Sequence, residues 1–260
     1  MVMGDTCTRS CGFCSVSTGR PEILDLDEPK RVAQAAKTLG LEHVVVTSVN
    51  RDDLPDEGAS HFVEVIRELR SSLGEDIIIE ILTPDFKRTQ AEAVRLILEA
   101  SPDIFNHNVE TIPSLYRRVR PQADYQKSLD IFRVIHQFGS DPSTRGSVEP
   151  LAQDSSSKTA RVLTKSGLML GLGESREEVL AVLKDLREAG CDILTLGQYL
   201  QSSTLGLPVT EYIHPDIFSE LKNTALGMGF GWVESGPFVR SSFHAKDSFI
   251  ALKEKLHAGS

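Results

Sequence analysis

The stretch HVVVTSVNRDDLPDEGASHFVEVIREL, residues 43–69, contains one complete strand-and-helix pattern. It opens with a short β-branched run, continues through a polar group, and closes on a segment with apolar residues at the i, i+3, i+4, i+7 spacing of an amphipathic helix: Phe62, Val65, Ile66 and Leu69. A run that is apolar on both faces is typical of a parallel strand covered by helices. The stretch therefore predicts one βα unit.

The same alternation extends along most of the chain. Helical spacing recurs at Val179, Leu180, Leu183 and Leu186, and more weakly at Val32, Ala35, Ala36 and Leu39. The strand-like runs lie at 43–49, 76–82, 103–108, 166–173 and 192–200. Repeated βα units imply a parallel sheet, and right-handed crossovers curl such a sheet. We therefore expect an α/β fold, a full or partial (βα) TIM-like barrel.

Length and charge exclude several classes of protein. The chain has 260 residues and a formal net charge of −9, which argues against broad nucleic-acid binding. Its apolar runs are too short to span a membrane, and no signal-peptide pattern opens the chain. We expect a cytoplasmic location, or an organelle matrix in a eukaryote. The basic segment YRRVRP, with Arg117, Arg118 and Arg120, is interpreted as a solvated helix end; a docking spot for an acidic partner is the alternative.

Polar residues follow each strand-like run. In α/β barrels the chemistry lies at the carboxyl ends of the strands, where these residues would meet. The polar groups are 50–53, 83–85, 106–110, Glu174 and 198–199. One face of the barrel is therefore expected to carry a pocket. Residues 139–162 show no period and are predicted to be a disordered surface insertion.

Three of the four cysteines lie within GDTCTRSCGFCS, residues 4–15. Cys7, Cys11 and Cys14 have the spacing C-x3-C-x2-C, whereas a structural zinc site normally has four ligands. Cys191 starts a later strand, at the opposite end of the barrel, and is interpreted as a small buried hydrophobe. Three thiolates on one tight loop suit an iron–sulfur cluster whose fourth iron stays open for a substrate or cofactor.

This spacing, with Phe13 before the last cysteine and a first strand before the loop, resembles the signature of the radical S-adenosylmethionine superfamily. The resemblance implies a barrel of the radical SAM type with a 4Fe-4S cluster. In that superfamily the unique iron chelates S-adenosylmethionine, and an electron from the cluster cleaves it to methionine and a 5′-deoxyadenosyl radical. The cofactors carry the difficult chemistry, and the protein positions them.

Longer stretches resemble the lipoyl synthase family: VTSVNRDDLPDEGASHF, PDIFNHNVETIPSLYRRVRPQADYQKSL, TKSGLMLGLGES, LTLGQYLQ and SGPFVRSSFHA. The resemblance covers residues 1–245, taken as the barrel core, and leaves 246–260 as a C-terminal helix or tail. It implies insertion of two sulfur atoms into an octanoyl-lysine on a lipoyl carrier protein or lipoyl domain. It also implies a reductant such as flavodoxin or ferredoxin, and no nucleic acid or membrane.

The family resemblance also implies roles for individual residues. Cys7, Cys11 and Cys14 would hold the radical-generating cluster. The residues expected to contact the cofactor are Phe13, Thr47, Ser48, Asn50, Arg51, Asp52, Asn108, Glu110, Gly171, Glu174 and Gln198. Tyr199 and Arg240 are expected at the substrate. The alternatives are a strand-end turn cap for Asn108 and Glu110, and a helix N-terminal cap for Glu174. His107 and His244 are interpreted as structural histidines rather than metal ligands.

The first serine of RSSF, Ser241, corresponds to a ligand of a second, auxiliary cluster that is the sulfur source in the family. The three cysteines of that cluster precede the barrel in the family, and this chain has none there. Phe243 stands where the family usually has tyrosine. We therefore expect one cluster in this chain against two in the family, cleavage of S-adenosylmethionine, and little or no sulfur insertion by this chain alone. Either the sequence is incomplete at its N-terminus or it is a natural variant.

Two other classes remain open from the sequence. A radical enzyme that resembles biotin synthase would need further cysteines along the barrel for its second cluster. A non-catalytic iron–sulfur or zinc-binding protein would need no polar group at every strand end, and it would not bind S-adenosylmethionine.

Overall fold

The computed structural model describes residues 1–140, 161–243 and 245–258, and the side chains within them except those of 139–140 and 255–258. The predicted insertion at 139–162 and His244 therefore lie largely or wholly outside the described residues.

Six parallel strands form one sheet in sequential order, each joined to the next by a crossover. The strands are β3 (His43–Thr47), β4 (Ile78–Leu82), β5 (Ile104–Asn106), β6 (Leu163–Leu170), β7 (Ile193–Gln198) and β8 (Trp232–Gly236). The predicted partial (βα) barrel is confirmed. Strand β8 was not identified from the sequence, because its five residues, WVESG, are mostly polar or small.

Helices connect and cover these strands. They are α1 (Glu28–Thr38), α2 (Ala59–Leu73), α3 (Gln90–Glu99), α4 (Tyr116–Val119), α5 (Tyr125–Ser140), α6 (Arg176–Glu188), α7 (Pro215–Gly227) and α8 (Ala245–Ala258). A 3-10 turn at Pro113–Leu115 precedes α4. Helix α2 begins as its apolar spacing predicts, and its face with Phe62, Val65 and Ile66 is fully buried. Among the helices that the structure describes, none is long and apolar enough to cross a membrane.

The chain enters the barrel beside β3. Val2 forms an isolated parallel bridge with Ser48, and its N–H donates to the carbonyl of Thr47 at 2.8 Å. Two short strands follow, β1 (Thr6–Cys7) and β2 (Ser17–Thr18), and they pair with each other. Because Val2 adjoins the last residues of β3, the segment between β1 and β2 lies at the carboxyl edge of the sheet.

The barrel interior combines apolar packing with a buried ion pair between β4 and β6. Lys165 of β6 contacts Glu80 of β4 at 3.0 Å, and both side chains are at most 1 % exposed. Asn106 of β5 donates a further hydrogen bond to the same carboxylate at 2.7 Å. Removal of one partner would leave the other charge buried and unpaired, which typically lowers the free energy of unfolding by about 3–5 kcal/mol. The pair therefore fixes the relation of β4, β5 and β6 below the site.

Candidate active site

The three cysteines lie on one closed loop. Cys7 ends β1, the N–H of Cys14 donates to the carbonyl of Cys11 at 3.1 Å, and the N–H of Gly19 returns to the carbonyl of Cys7 at 3.0 Å. All three side chains line a cavity of about 210 Å³ at the carboxyl edge of the sheet. Cys7 is buried, Cys11 is half-buried and Cys14 is exposed, so the cavity reaches the surface at Cys14.

Backbone N–H groups point at two of the sulfur atoms. The Sγ of Cys7 accepts from the N–H of Asn50 at 3.3 Å and of Arg9 at 3.4 Å, and the Sγ of Cys14 accepts from Val16 at 3.5 Å. Hydrogen bonds to a charged form favour that form, so these donors suit thiolates. Burial raises the pKa of Cys11 to about 11, against the opposing charge of Arg120. Iron ligation would displace that proton, because the thiolate is the metal ligand.

The fourth cysteine takes no part in this loop. Cys191 is fully buried just before β7, at the amino edge of the sheet, and its thiol donates to the carbonyl of Ile193 at 3.2 Å. Burial raises its pKa far above the ordinary range of a thiol. The side chain therefore behaves as a small apolar group, as the sequence indicated.

A buried ion-pair network supports the cysteine loop from within the barrel. Arg9, which lies between Cys7 and Cys11, contacts Asp85 at 2.6 Å and Asp52 at 2.7 Å. The side chains of Arg9 and Asp85 are 3 % and 1 % exposed. Burial lowers the pKa of Arg9, but the hydrogen bond to Asp52 and the charges of both carboxylates outweigh it and raise that pKa. Arg9 is therefore a fixed cation that ties the loop to the ends of β3 and β4.

A second cavity of about 350 Å³ adjoins the first, and the two share Phe13, Leu82, Asn108 and Glu110. The predicted site residues that line one or both cavities are Cys7, Cys11, Phe13, Cys14, Thr47, Ser48, Asn50, Asn108, Glu110, Gln198, Tyr199, Arg240 and Ser241. The structure therefore brings together most of the predicted set. The predicted pocket at the carboxyl edge is present.

Gly167 of β6 lies on the wall of the larger cavity, where neighbouring side chains pack closely against it. A Cβ atom at this position would lie 2.7 Å from the Oδ1 of Asn108 and 2.8 Å from the Oγ1 of Thr195. Real Cβ atoms essentially never approach so closely, so any side chain here would displace polar groups of the wall. The side chains of Asn108 and Thr195 therefore pack directly against the backbone of β6.

Glu110 is held in a strained conformation inside the site. Its φ is +65°, in the left-handed region that non-glycine residues rarely adopt. Two hydrogen bonds to β6 hold it there: its N–H donates to Gly167 at 3.0 Å, and its carbonyl accepts from Met169 at 2.9 Å. Burial raises the pKa of the Glu110 carboxyl, whereas Arg120 opposes the shift. Strain that the surroundings enforce is typical of functional residues.

Asn108 links two sides of the cavity. Its Nδ2 donates to the Oγ of Ser241 at 2.8 Å, across from β5 to the loop after β8. Its Oδ1 has no hydrogen-bond partner among the described residues, although the atom is buried. An orphaned buried acceptor is costly, so this atom is placed to accept from a bound molecule.

Four predicted cofactor residues do not line either cavity. Arg51 donates to Asp53 and to the carbonyls of Met3 and Glu22. It thereby joins the residues just before the cysteine loop to those just after it. Asp52 is bonded to Arg9 and to Thr8. Both side chains support the loop by these contacts.

The other two, Gly171 and Glu174, form a turn after β6. Gly171 has a φ of +98°, and the Glu174 carboxylate accepts from the N–H groups of Gly171 and Leu172. The alternative that Glu174 caps α6 is wrong, because Ser175 does so in a capping box with Glu178.

Tyr199 and Gln198 line the cavity and also fix the loop that follows β7. The hydroxyl of Tyr199 donates to the carbonyl of Leu207 at 2.6 Å. The Gln198 amide donates to the carbonyl of Glu211 at 3.0 Å and accepts from the N–H of Ile213 at 2.9 Å. His107 is likewise fully engaged, since its ring contacts the carbonyl of Thr83 and the hydroxyl of Ser128. Its interpretation as a structural histidine agrees with these contacts.

Sequence reasoning missed the role of Arg120. The segment YRRVRP was interpreted as a solvated helix end, which is correct for the exposed Arg117 and Arg118 and wrong for Arg120. Arg120 is 8 % exposed, donates to the carbonyl of Asn108 at 2.8 Å and lies 5.6 Å from the centre of the Tyr116 ring. It lines the cavity of the three cysteines, and its Nε has no hydrogen-bond partner among the described residues. The sequence carried no signal that separates Arg120 from its neighbours, because the end of α4 at Val119 is defined only by the structure.

The donor set fits an iron–sulfur cluster with a bound organic cofactor. Three thiols face one cavity, two of them with backbone N–H donors, and orphaned polar atoms of Asn108 and Arg120 belong to residues that line the same space. Thiolates are the ligands of iron–sulfur clusters, and an open fourth position leaves room for a further ligand.

Solved structures share this fold at low sequence identity. Methylornithine synthase (PylB) has a TM-score of 0.60 at 15 % identity, with 100 % of this chain and 80 % of that chain covered. Streptococcus suis SuiB bound to S-adenosylmethionine has a TM-score of 0.62 at 11 % identity, with 90 % and 48 % covered. HydG, a maturase of the [FeFe]-hydrogenase, gives 0.62 at 13 %, with 95 % and 57 % covered.

The family model of the radical SAM superfamily matches residues 1–148, so the fold and the cysteine loop together define a radical SAM enzyme. Lipoyl synthase of Caldanaerobacter subterraneus subsp. tengcongensis is 49 % identical over 94 % of this chain and 78 % of its own length. That of Rubrobacter xylanophilus is 50 % identical over 95 % and 70 %. The chain belongs to the lipoyl synthase family, whose members are sulfur-inserting radical SAM enzymes.

Proposed function

We propose that this chain forms the radical-generating and octanoyl-binding core of lipoyl synthesis, with one 4Fe-4S cluster on Cys7, Cys11 and Cys14. The single observation that carries the proposal is the geometry of the cysteine loop: three thiols face one cavity at the carboxyl edge, and Cys191 is buried at the opposite edge. When bound, the cluster and S-adenosylmethionine supply a 5′-deoxyadenosyl radical that abstracts hydrogen from an unactivated carbon.

The residues around the smaller cavity are proposed to hold S-adenosylmethionine. Thr47, Ser48 and Asn50 line it from β3, and the buried Ser48 hydroxyl has no partner among the described residues. Arg120 and Glu110 both line it, their charges interact, and they offer opposite charges to a zwitterionic amino-acid group. Phe13 lies between the two cavities and offers a backbone edge and an aromatic ring.

The larger cavity is proposed to receive the octanoyl chain. Leu168, Met169, Leu200 and Val239 give it apolar surface, and Tyr199 and Arg240 stand at its polar positions. An alkyl chain has no polar group to hold, so it is bound by removal of apolar surface from water. Closure around the chain also excludes water from the radical.

Ser241 faces this same cavity, and the Asn108 side chain orients its hydroxyl. We propose that Ser241 is the point at which a sulfur source meets the octanoyl chain, as the family resemblance implies. The only cysteine of this sequence beyond the triplet is Cys191, which lies at the other edge of the sheet. One cluster is therefore the expected content of this polypeptide, and sulfur insertion needs a sulfur source from outside the residues described.

The proposed substrate is octanoyl-lysine on a lipoyl carrier protein or lipoyl domain, and the proposed setting is the cytoplasm, or an organelle matrix in a eukaryote. A reducing compartment keeps the thiols of Cys7, Cys11 and Cys14 available to iron, which supports this location.

Anaerobic reconstitution tests the proposal. We expect about four irons and four sulfides per chain, as one cubane cluster requires, and release of 5′-deoxyadenosine when dithionite and S-adenosylmethionine are added. Cys14→Ser should lose both properties, whereas the matched variant Cys191→Ser should keep them. One zinc per chain without cleavage of the cofactor would refute the proposal in favour of a metal-binding protein. Two clusters per chain would refute the single-cluster part.

A further inference from the structure

Two exposed arginines adjoin the cysteine loop. Arg117 and Arg118 lie in α4, and the next residue, Val119, accepts a hydrogen bond from the N–H of Gly12 at 2.9 Å. A Cβ atom on Gly12 would lie 3.2 Å from the carbonyl oxygen of Arg118. The backbone of α4 therefore packs directly against the loop that carries Cys11 and Cys14. We call Arg117 and Arg118 the arginine rim.

The loop after β7 completes the same surface. Leu207 donates its N–H to the carbonyl of Gly12 at 2.9 Å, and Ser202 donates its hydroxyl to the carbonyl of Phe13 at 3.1 Å. Leu205, on this loop, is 97 % exposed. Burial raises the pKa of Tyr199, whose hydroxyl donates to the carbonyl of Leu207 on this loop, and the charge of Arg118 opposes that rise. One continuous edge thus joins an exposed leucine, the arginine rim and the exposed Cys14.

This edge differs in charge from the rest of the molecule. The chain has 37 acidic residues among 260, yet none falls in 8–21, 111–123 or 200–210, the three segments that meet at Gly12. In the described part of the chain, neither Arg117 nor Arg118 has an ion-pair partner. A positive edge on a protein of net charge −9 has a preferred type of partner, because complementary potentials steer encounter.

We infer that the arginine rim, with Leu205, is the docking surface for a small acidic electron-carrier protein. The inference rests on the proposed function, since cleavage of S-adenosylmethionine consumes one electron that must arrive from outside. In each encounter the carrier is oxidised by one electron, and the group held by the three cysteines is reduced by one. Cys14 is the exposed member of the triplet, so a carrier on the rim would meet the cysteine loop on its exposed side, and neither Arg117 nor Arg118 lines the larger cavity.

The expected interface is small and sensitive to salt. Weak redox encounters bury less than about 1,200 Å² and depend on a few charges. Rim charges act mostly on the association rate, and salt screens them within about 10 Å at 0.1 M. Two arginines and one leucine suffice for such a contact, whereas they would be too few for a stable complex.

The test compares two reductants on the reconstituted enzyme. In Arg117→Glu/Arg118→Glu, the rate of 5′-deoxyadenosine release driven by reduced flavodoxin should fall about tenfold or more at low salt. The rate driven by dithionite, which needs no docking, should stay within about twofold of the unaltered protein. The matched control is Arg176→Glu/Lys184→Glu on α6, which changes the net charge equally and should change neither rate. Arg117→Lys/Arg118→Lys should keep most of the flavodoxin-driven rate.

Titration of oxidised flavodoxin with the holoprotein gives a readout that needs no turnover. The affinity should fall in the charge-reversed variant and fall with salt in the unaltered protein. An unchanged flavodoxin-driven rate would overturn the inference, and so would an equal loss with dithionite. Loss of binding to an octanoylated lipoyl domain, with electron delivery intact, would assign the rim to the substrate carrier instead. If the unaltered protein fails to cleave S-adenosylmethionine with dithionite, the proposed function fails, while the titration still decides the docking.

Discussion

The buried contact between Arg9 and Asp85 should be the main support of the cysteine loop, and Asp85→Asn removes its charge. The two groups lie 2.6 Å apart and are at most 3 % exposed. Breaking a buried pair typically costs about 3–5 kcal/mol, because the remaining charge is left without compensation. Arg9 keeps Asp52, whose side chain is 30 % exposed, so we expect the lower end, about 3 kcal/mol.

The measurement is urea unfolding of the iron-free, reduced protein, followed by circular dichroism. With a slope of about 3 kcal/mol per molar urea, the midpoint should fall by about 1 M. Asp52→Asn is the matched control, because it removes the more exposed carboxylate of the same arginine and should cost about 1 kcal/mol or less. Arg9→Met/Asp85→Leu, which removes both buried charges, should be less destabilised than Asp85→Asn.

The same variant should bind less iron. Arg9 lies between Cys7 and Cys11, and its contacts to Asp52 and Asp85 hold the backbone of the loop in place. Iron per chain and the electron paramagnetic resonance signal of the reduced cluster report this directly. The reasoning is refuted if Asp85→Asn unfolds at the same urea concentration as Asp52→Asn and binds as much iron as the unaltered protein.

Three further predictions follow from single contacts. Burial lowers the pKa of His107 to about 3, against about 6.5 when unfolded, so its contribution to stability is complete above pH 6.5 and is lost as the pH falls towards 3. The free energies of unfolding at pH 7.5 and pH 5, from urea titration, should therefore differ by about 2 kcal/mol more in the unaltered protein than in His107→Gln; an equal difference contradicts this. Gly167→Ala should weaken binding of S-adenosylmethionine by about tenfold or more, since the new Cβ would displace Asn108 and Thr195, while thermal stability falls only modestly; unchanged binding by calorimetry would contradict it. Asn108→Ala should leave iron content unchanged and weaken cofactor binding, because its free Oδ1 is lost; Asn108→Asp, which keeps an acceptor there, should bind better than Asn108→Ala.

Much of the architecture is determined locally. The apolar spacing of residues 62–69 defines the face of α2 that is buried, and the β-branched run at 43–49 forms a strand with Val44 and Val46 buried and Val45 half-buried. The cysteine spacing is equally local, since eight residues carry all three thiols on one closed loop. Such features can be predicted because each depends on residues close together in the chain.

Strand β8 and the burial of Arg120 could not be predicted in this way. The sequence WVESG is too short and polar to indicate a strand, and it is fixed by pairing with β7. Arg117, Arg118 and Arg120 look equivalent in the sequence, but only Arg120 falls where the chain leaves α4 and turns towards the cavity. Its burial depends on Tyr116 and on the carbonyl of Asn108, which are brought to it by the fold.

The sequence by itself determined the class of fold, the cysteine loop and the edge of the sheet at which the site lies, because periodicity and spacing are properties of neighbouring residues. Only the tertiary structure decided which polar side chains face the cavity and which brace it. Asn108 meets Ser241, and Arg9 meets Asp85, across separations that no local pattern records. Their roles depend on which strand ends converge in space, and that convergence is a property of the six-stranded sheet as a whole.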